Sequence, residues 1–405
     1  MQFFRDLSLS SFTAGFVAVL VGMTSSIAIV FQAAQSFGAT PEMLASWMWA
    51  LGIGMGLATL LPSLWWRKPV MVAWSTPGAA VLASTGLAGH YGMPEAVGAF
   101  ILCAALIVLV GATGWFERLM ARIPAAIAAA LLAGVLARFG LAAFASAQSA
   151  LPLVLVMLAS YLLGKRLLPR YAVPLTLLVA VLFTAAQGGF GPMPITLALT
   201  WPVWVTPTFS LASFFSLALP LFIVTMASQN LPGVAAIRAA GYGDRRADGG
   251  DGGIPVSRVI TLTGLVTLVL APFGAFALNL SAITAAICMG PEAHHDPQRR
   301  YTAAVSCGAL YVLIGLFGAA IMGVLTGFPK ELVAAIAGLA LLSTIAGALK
   351  MALDDEGDRE SAIITFLVTL SGVVIAGVGS AFWGVVAGGV ALLVQRYGKR
   401  PATPA

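Results

Sequence analysis

Polar side chains set in the middle of apolar segments are the residues of this chain that could do chemistry. They fall into a few short stretches. Trp74-Ser75-Thr76-Pro77-Gly78 and Leu278-Asn279-Leu280-Ser281 each lie inside an apolar segment of membrane-spanning length. Pro77 lacks an N–H and clashes with a preceding helical turn, and Gly78 adds backbone freedom. The second stretch has no Pro or Gly of its own, but Pro272, Gly274, Asn279 and Ser281 crowd one short segment. In lipid a broken helix is tolerated only where the freed backbone groups line a cavity or meet a ligand. A helix that starts at the midplane presents unpaired N–H groups and the positive end of its dipole, which stabilise an anion without a cationic side chain. Ser75, Thr76, Asn279 and Ser281 add hydroxyl and amide partners. The bland alternative is that Pro77 kinks a span while the hydroxyls bond back to their own helix.

Three further groups qualify. Ser228-Gln229-Asn230, followed by Leu231-Pro232-Gly233, puts consecutive polar residues within a membrane helix. That is costly unless they face a polar cavity or hydrogen-bond to other helices. Thr24-Ser25-Ser26 in the first apolar segment is a weaker counterpart, because small hydroxyl residues also serve close packing. Arg138 is the one cation well inside a predicted span. It could draw an anion toward a pathway, reach the outer interface along its own stem, or tie one subunit to another. Glu292-Ala293-His294-His295-Asp296-Pro297 reads as a solvated cytoplasmic loop, with proton release or inner gating as the second reading. All fifteen Asp and Glu map to loops or span ends. A coupled proton therefore rides on a substrate carboxyl or uses Glu292 or the histidines.

These stretches are carried by an all-α polytopic membrane protein. Hydrophobic residues make up 60% of the chain and charged residues 9%, against about 25% charged in a soluble domain. Mean hydropathy is +0.98. A span needs about 20 apolar residues, and about 14 segments qualify, some of them short. They lie near 12–35, 44–65, 69–88, 95–115, 124–145, 150–168, 172–187, 212–234, 256–271, 272–290, 302–324, 331–350, 361–378 and 379–396. With a cytoplasmic N-terminus, Arg67-Lys68, Lys165-Arg166, Arg245-Arg246, Arg299-Arg300 and Lys399-Arg400 all fall inside, while Lys330 is the one clear outer cation. This positive-inside bias fits an even span count and two cytoplasmic termini. No cleavage site follows Arg5-Asp6, so the first helix is expected to be retained.

Cys103, Cys288 and Cys307 read as small core residues, and three His without metal-ligand spacing predict no metal and no cofactor. The loop from Gly241 to Gly253 lacks the GxxxxGK[ST] phosphate pattern and reads as a linker. Nothing in the chain suggests nucleic acid as a partner.

Seven spans before the Pro- and Gly-rich link of 188–207, and seven after it, suggest a 7+7 inverted repeat with broken helices in spans 3 and 10. An offset of about 203 positions brings Pro69 onto Pro272, Thr76 onto Asn279, and Ser25-Ser26 onto Ser228-Gln229.

Together, Ser25-Ser26-Ile27-Ala28, Trp74 to Ala79, Ser228 to Gly233, Asn279 to Ile287 and Gly290-Pro291-Glu292-Ala293-His294 resemble the BenE-type benzoate/proton symporter family over nearly the whole chain. That family is distantly similar to nucleobase and sulfate carriers. The resemblance implies a core domain of spans 1–4 (1–122) and 8–11 (208–325). It implies a gate domain of spans 5–7 with the outer link (123–207) and spans 12–14 (326–396), before a tail of 397–405. Short strands would precede the half-helices of spans 3 and 10, and a homodimer would form through the gate. The expected function is import of benzoate or a similar aromatic acid with a proton, across the bacterial inner membrane, by alternating access. The expected site is Ser25, Ser75, Thr76, Pro77, Gly78, Ser228, Gln229, Asn230, Asn279, Leu280 and Ser281, with the ring near Ser343-Thr344. Arg138, Glu292 and His294 would serve anion attraction or gating. Nucleobase carriers place acidic residues in spans 8 and 10, where this chain has Ser228-Gln229 and Leu278. That departure disfavours a nucleobase, whose ring N–H groups want acceptors. A nucleobase or inorganic-anion carrier of the same fold stays open as the rival. An intramembrane enzyme is disfavoured, because the spans show no nucleophile–base pair or metal cluster, and so is a structural membrane subunit, which should not show paired helix breaks at one offset.

Overall fold

The computed structural model describes residues 2–24, 26–89, 91–116, 125–168, 171–192, 198–243, 253–291, 293–373, 375 and 380–396. The candidate residues Ser25 and Glu292 lie outside the described residues. The chain opens with α1 (Gln2–Asp6), α2 (Leu9–Thr24) and α3 (Ile27–Ser36), the last two meeting at a 40° bend. Next come α4 (Pro41–Trp66), β1 (Val72–Trp74), α5 (Thr76–Gly89) and α6 (Met93–Ala112). Then follow α7 (Ala125–Ala145), α8 (Ala147–Leu167) and α9 (Ala172–Ala186). The second half begins with α10 (211–239) and α11 (Val256–Leu270), then β2 (Leu278–Leu280) and α12 (Ile283–Met289). It ends with α13 (Tyr301–Leu316), α14 (Gly318–Thr326), α15 (Lys330–Ala352), α16 (Arg359–Ser371) and α17 (Ser380–Arg396).

Among the described residues, six helices are long and apolar enough to cross a bilayer alone. The number is eight if α2–α3 and α15, bent by 40° between Ser343 and Ile345, each count as one span. The other apolar segments are shorter pieces. In particular, the third and tenth segments each become a three-residue strand followed by a helix, of 14 residues in α5 and 7 in α12. Neither helix reaches the ~30 Å of a bilayer core. Large apolar side chains such as Trp65, Leu141, Leu162, Leu163 and Leu393 are exposed on the outside, as a surface in contact with lipid requires.

The helices pack in two groups. In one, α4 lies along α13, α6 along α11, α2 against α13 and α12, and α3 against α5, with the two strands at its centre. In the other, α7 lies along α15 and α16, α16 along α17, and α8 along α9. Glycines set the closest approach. A Cβ on Gly52 would stand 2.5 Å from Gly315 Cα, and one on Gly56 would stand 2.7 Å from the Gly308 carbonyl. The Gly52-x3-Gly56 spacing on α4 thus lets two backbones touch, the usual device of membrane helices whose association cannot draw on the hydrophobic effect.

Several local expectations change. Pro77 breaks no helix interior: it is the second residue of α5, where its missing N–H would have had no partner in any case. The strands sit 206 positions apart rather than about 203, because the chain after Pro272 passes through a left-handed Gly274 (φ 104°) before β2 begins. Asn279 therefore stands opposite Ala73, not in the place of Thr76.

Gly52→Ala should destabilise the purified protein by about 1–3 kcal/mol through overpacking, read as a lower melting temperature. Gly347→Ala, where a Cβ would meet nothing within 4 Å, should leave it unchanged or raise it. Equal effects of the two would show that the α4–α13 approach is not tight.

Candidate functional site

Two three-residue strands buried in an apolar protein leave their backbone groups with few neighbours to bond. Here they pair with each other, antiparallel, with Val72 opposite Leu280, Ala73 opposite Asn279 and Trp74 opposite Leu278. The ladder extends symmetrically at each end: Ser75 N–H donates to Ala277 O, and Ser281 N–H to Met71 O, both at 3.0 Å. The outer edges are closed by side chains. Thr59 Oγ1 on α4 accepts from Val72 N–H, and Thr267 Oγ1 on α11 accepts from Leu278 N–H, each at 3.1 Å. Ser63 Oγ accepts from Val70 N–H at 3.1 Å, and Asn230 Oδ1 from Leu280 N–H at 2.9 Å. The Trp74 indole donates to Ser26 Oγ at 2.8 Å, which ties the α2–α3 bend to the crossing.

Each strand turns directly into a helix through a serine. Ser75 Oγ accepts from Gly78 N–H (3.0 Å), and Ser281 Oγ accepts from Thr284 N–H (3.3 Å) and from Thr284 Oγ1 (2.7 Å). Thr225 Oγ1 on α10 donates to Ser75 Oγ at 2.9 Å. Among the described residues, the backbone N–H groups of Thr76, Ala282 and Ile283 are left without a partner at these turns. All three residues have exposed or half-exposed surface.

Helix α10 carries two π turns, Phe214–Ala218 and Met226–Asn230, each ending two residues before a proline, Pro220 and Pro232. A proline cannot donate to the carbonyl four residues back and its ring crowds that carbonyl, so the turn before it widens. The second π turn presents Ser228 and Gln229 as half-buried residues and turns Asn230 inward. Ser228 Oγ bonds back to Val224 O. The Gln229 side chain has no hydrogen-bond partner among the described residues. Gly233 follows where Leu280 passes: a Cβ there would stand 2.6 Å from Leu280 Cβ.

The crossing thus brings together Ser75, Thr76, Pro77, Gly78, Asn230, Asn279, Leu280 and Ser281, with Ser228 and Gln229 on the adjoining turn. Their roles divide. Asn230 is fully buried, with Oδ1 engaged by Leu280 and Nδ2 aimed at Met226 Sδ (3.6 Å), so it holds the strand and its amide oxygen is taken. Asn279 is equally buried, but its Nδ2 donates to Ala277 O (3.4 Å) and its Oδ1 has no partner among the described residues. Ala277 O can only accept, so the amide orientation is fixed and the unpaired atom is the acceptor. Ala73, directly across on the same sheet face, is the half-exposed residue of β1. Thr59 and Thr267, which close the strand edges, were not among the sequence candidates, whereas Ser26, which holds Trp74, lay in the Thr24-Ser25-Ser26 stretch. The only signal of the two threonines was a hydroxyl in an apolar helix.

Two candidates lie elsewhere. Arg138 lines a separate cavity beside α3 and α5. His294 is buried in the turn after α12, where its Nδ1 accepts from Asp296 N–H (3.0 Å) and its carbonyl from Arg300 Nε (2.8 Å). Arg300 also donates to Met289 O at the end of α12 (2.8 Å), so the guanidinium fastens this loop to the helix terminus.

The profile of the benzoate membrane transport protein family matches residues 5–394. The chain is 50% identical over 381 residues to inner membrane protein YdcO of Escherichia coli K12, covering 94% of each. It is 39% identical over 390 residues to a benzoate membrane transport protein of Acinetobacter baylyi, covering 96% of each. In fold it is similar to the transmembrane domain of the cyanobacterial bicarbonate transporter BicA, with a TM-score of 0.55 at 13% identity over 98% of both chains. It is likewise similar to SLC26A9, with a TM-score of 0.56 at 13% identity over 95% of this chain and 66% of that one. These relatives set aside the intramembrane-enzyme reading. The chain is a multi-pass membrane transporter and belongs to the benzoate membrane transport protein family.

Proposed function

We propose that this transporter imports benzoate or a similar aromatic acid together with a proton, that the proton travels on the substrate carboxyl, and that Asn279 receives it. The observation that carries this reading is the unpaired, buried Asn279 Oδ1 beside unpaired N–H groups of Thr76, Ala282 and Ile283. A protonated carboxyl has one acceptor and one donor, and this is the complementary set. A fully ionised inorganic anion would leave Asn279 Oδ1 unpaired. A nucleobase would ask for more acceptors than Asn279 supplies. Gln229 adds an amide donor at the rim, and the apolar walls take the ring, with Ser343-Thr344 at the bend of α15 on the far side. The likeness to a protein named for benzoate transport supports the substrate class.

The mechanism is alternating access. The core, 1–122 with 208–325, moves against the gate, 123–207 with 326–396, and exposes the crossing to each side in turn. The two packing groups of helices support this division. The positive-inside pattern supports cytoplasmic termini, and the inner-membrane relative supports that membrane. A homodimer would join two gates, leaving each core free to move.

Asn279→Leu should cut uptake of labelled benzoate into proteoliposomes about tenfold with an unchanged or higher melting temperature, because it removes an unpaired buried acceptor. Asn230→Leu should instead destabilise the protein by about 1–3 kcal/mol, because it strips the Leu280 N–H of its partner. Unimpaired uptake in the Asn279 variant would remove that residue from the site.

Proton transfer on the substrate makes the cycle electroneutral. An inward proton gradient should drive uptake, while a potassium-diffusion potential at equal pH should not. Voltage-driven uptake would place the proton, or a second one, on the protein.

A further inference from the structure

We propose that the cavity around Arg138 is a second, outer carboxylate site, where the substrate is captured as an anion before it reaches the strand crossing. The reading extends the proposed function by naming where the substrate first binds, and it rests on that function for the aromatic part of the ligand.

The cavity holds about 410 Å³ and is lined by Gln32, Gln35 and Ser36 of α3, Ser84 of α5, and Arg138 and Phe139 of α7. It therefore lies between the two packing groups, at the ends of α3, α5 and α7 that the loop charges assign to the outside. Arg138 is its one charged lining residue, and the half-buried guanidinium has no hydrogen-bond or ion-pair partner among the described residues. It is nonetheless held in place. A Cβ on Gly372 would stand 3.0 Å from Arg138 Nη1, so the guanidinium sits at the C-terminal end of α16, which Gly372 caps in a left-handed conformation (φ 70°). The negative end of that helix favours a cation without neutralising it.

An unpaired guanidinium in a partly desolvated cavity selects a carboxylate, which its fork can grip with two bonds. A single positive charge with no second cation selects a monoanion. The side-chain amides of Gln32 and Gln35, which also have no hydrogen-bond partner among the described residues, add donors. Ser36 and Ser84 already donate to Ala33 O and Val81 O, so the donors for an anion here are the guanidinium and the two amides. Phe139 supplies an apolar wall. Ser84 lies eight residues along α5 from Thr76, about 12 Å at the helical rise. The two sites cannot be occupied by one small acid at once.

The test uses thiol labelling in the full-length protein, whose native Cys103, Cys288 and Cys307 are all buried. A cysteine is placed on the cavity wall as Ser84→Cys, with Ala142→Cys as the alternative position should the first not fold. It is then labelled with an anionic methanethiosulfonate and with a neutral one of similar size. With Arg138 present the anionic reagent should be favoured, and adding Arg138→Gln should lower the anionic-to-neutral rate ratio about tenfold. Benzoate should slow labelling in the Arg138 protein, benzamide should not, and protection should persist when Asn279→Leu disables the inner site. A rate ratio indifferent to Arg138→Gln would overturn the proposal, as would benzoate protection that vanishes with Asn279→Leu. Protection by acetate or nitrate with none by benzoate would keep the anion site and instead refute the aromatic-acid reading of the transporter.

Discussion

The arrangement depends on one constraint: two short lengths of extended backbone cross inside an apolar protein, and every N–H and C=O they bury must find a partner. Pairing with each other serves only one edge of each strand. The other edges are served by Thr59 and Ser63 from α4, Thr267 from α11 and Asn230 from α10. This sorts the polar residues of the apolar helices into two kinds. Thr59, Ser63, Thr267 and Asn230 complete the backbone of the crossing, while others such as Thr176, Ser306 and Thr365 bond back to carbonyls of their own helices. Among the described residues of the crossing, Asn279 Oδ1, the Gln229 amide and three backbone N–H groups are left over, and on the proposed reading these set what a ligand must offer.

The strand ladder also explains why the site is symmetric in backbone but not in side chains. Ser75 and Ser281 perform the same capping on opposite sides of the Ala73–Asn279 pair. Asn279, however, faces an alanine, so one half supplies the polar atom and the other the space beside it. On the proposed reading, capture at Arg138 and carriage at Asn279 would ask for different forms of the same molecule. A guanidinium prefers the carboxylate and an amide oxygen prefers the acid, so the proton would join the substrate between the two.

Much of this was legible in the sequence, for reasons that differ by residue. Apolar segment lengths and charged loops identified a polytopic membrane protein because lipid imposes both. The polar stretches at 74–78, 228–233 and 278–281 stood out because burial in an apolar helix is costly without a partner. The identity of the partners was not legible. Asn230 and Asn279 look alike in the sequence, and only the packing of α10 against β2 shows that one is engaged and the other is not. Strands of three residues have no period to detect, so β1 and β2 came from the family resemblance and not from pattern. Pro77 reads as a helix breaker until the preceding residues are known to be extended. The bends at 24–27 and 343–345 carry neither Pro nor Gly, and nothing local announces them.

The crossing joins residues more than two hundred positions apart, and this bears on how the chain is made. At ordinary rates of synthesis, β1 emerges roughly 10–40 s before β2 exists to pair with it. Through that interval its inner edge has no strand to bond, and Trp74, Ser75 and the start of α5 cannot take their final places. The first seven apolar segments can enter the membrane, but they form an unfinished body whose centre is completed from the other half. Assembly of this transporter is therefore a late, long-range event. A truncated first half should be a target for quality control, not a stable half-carrier.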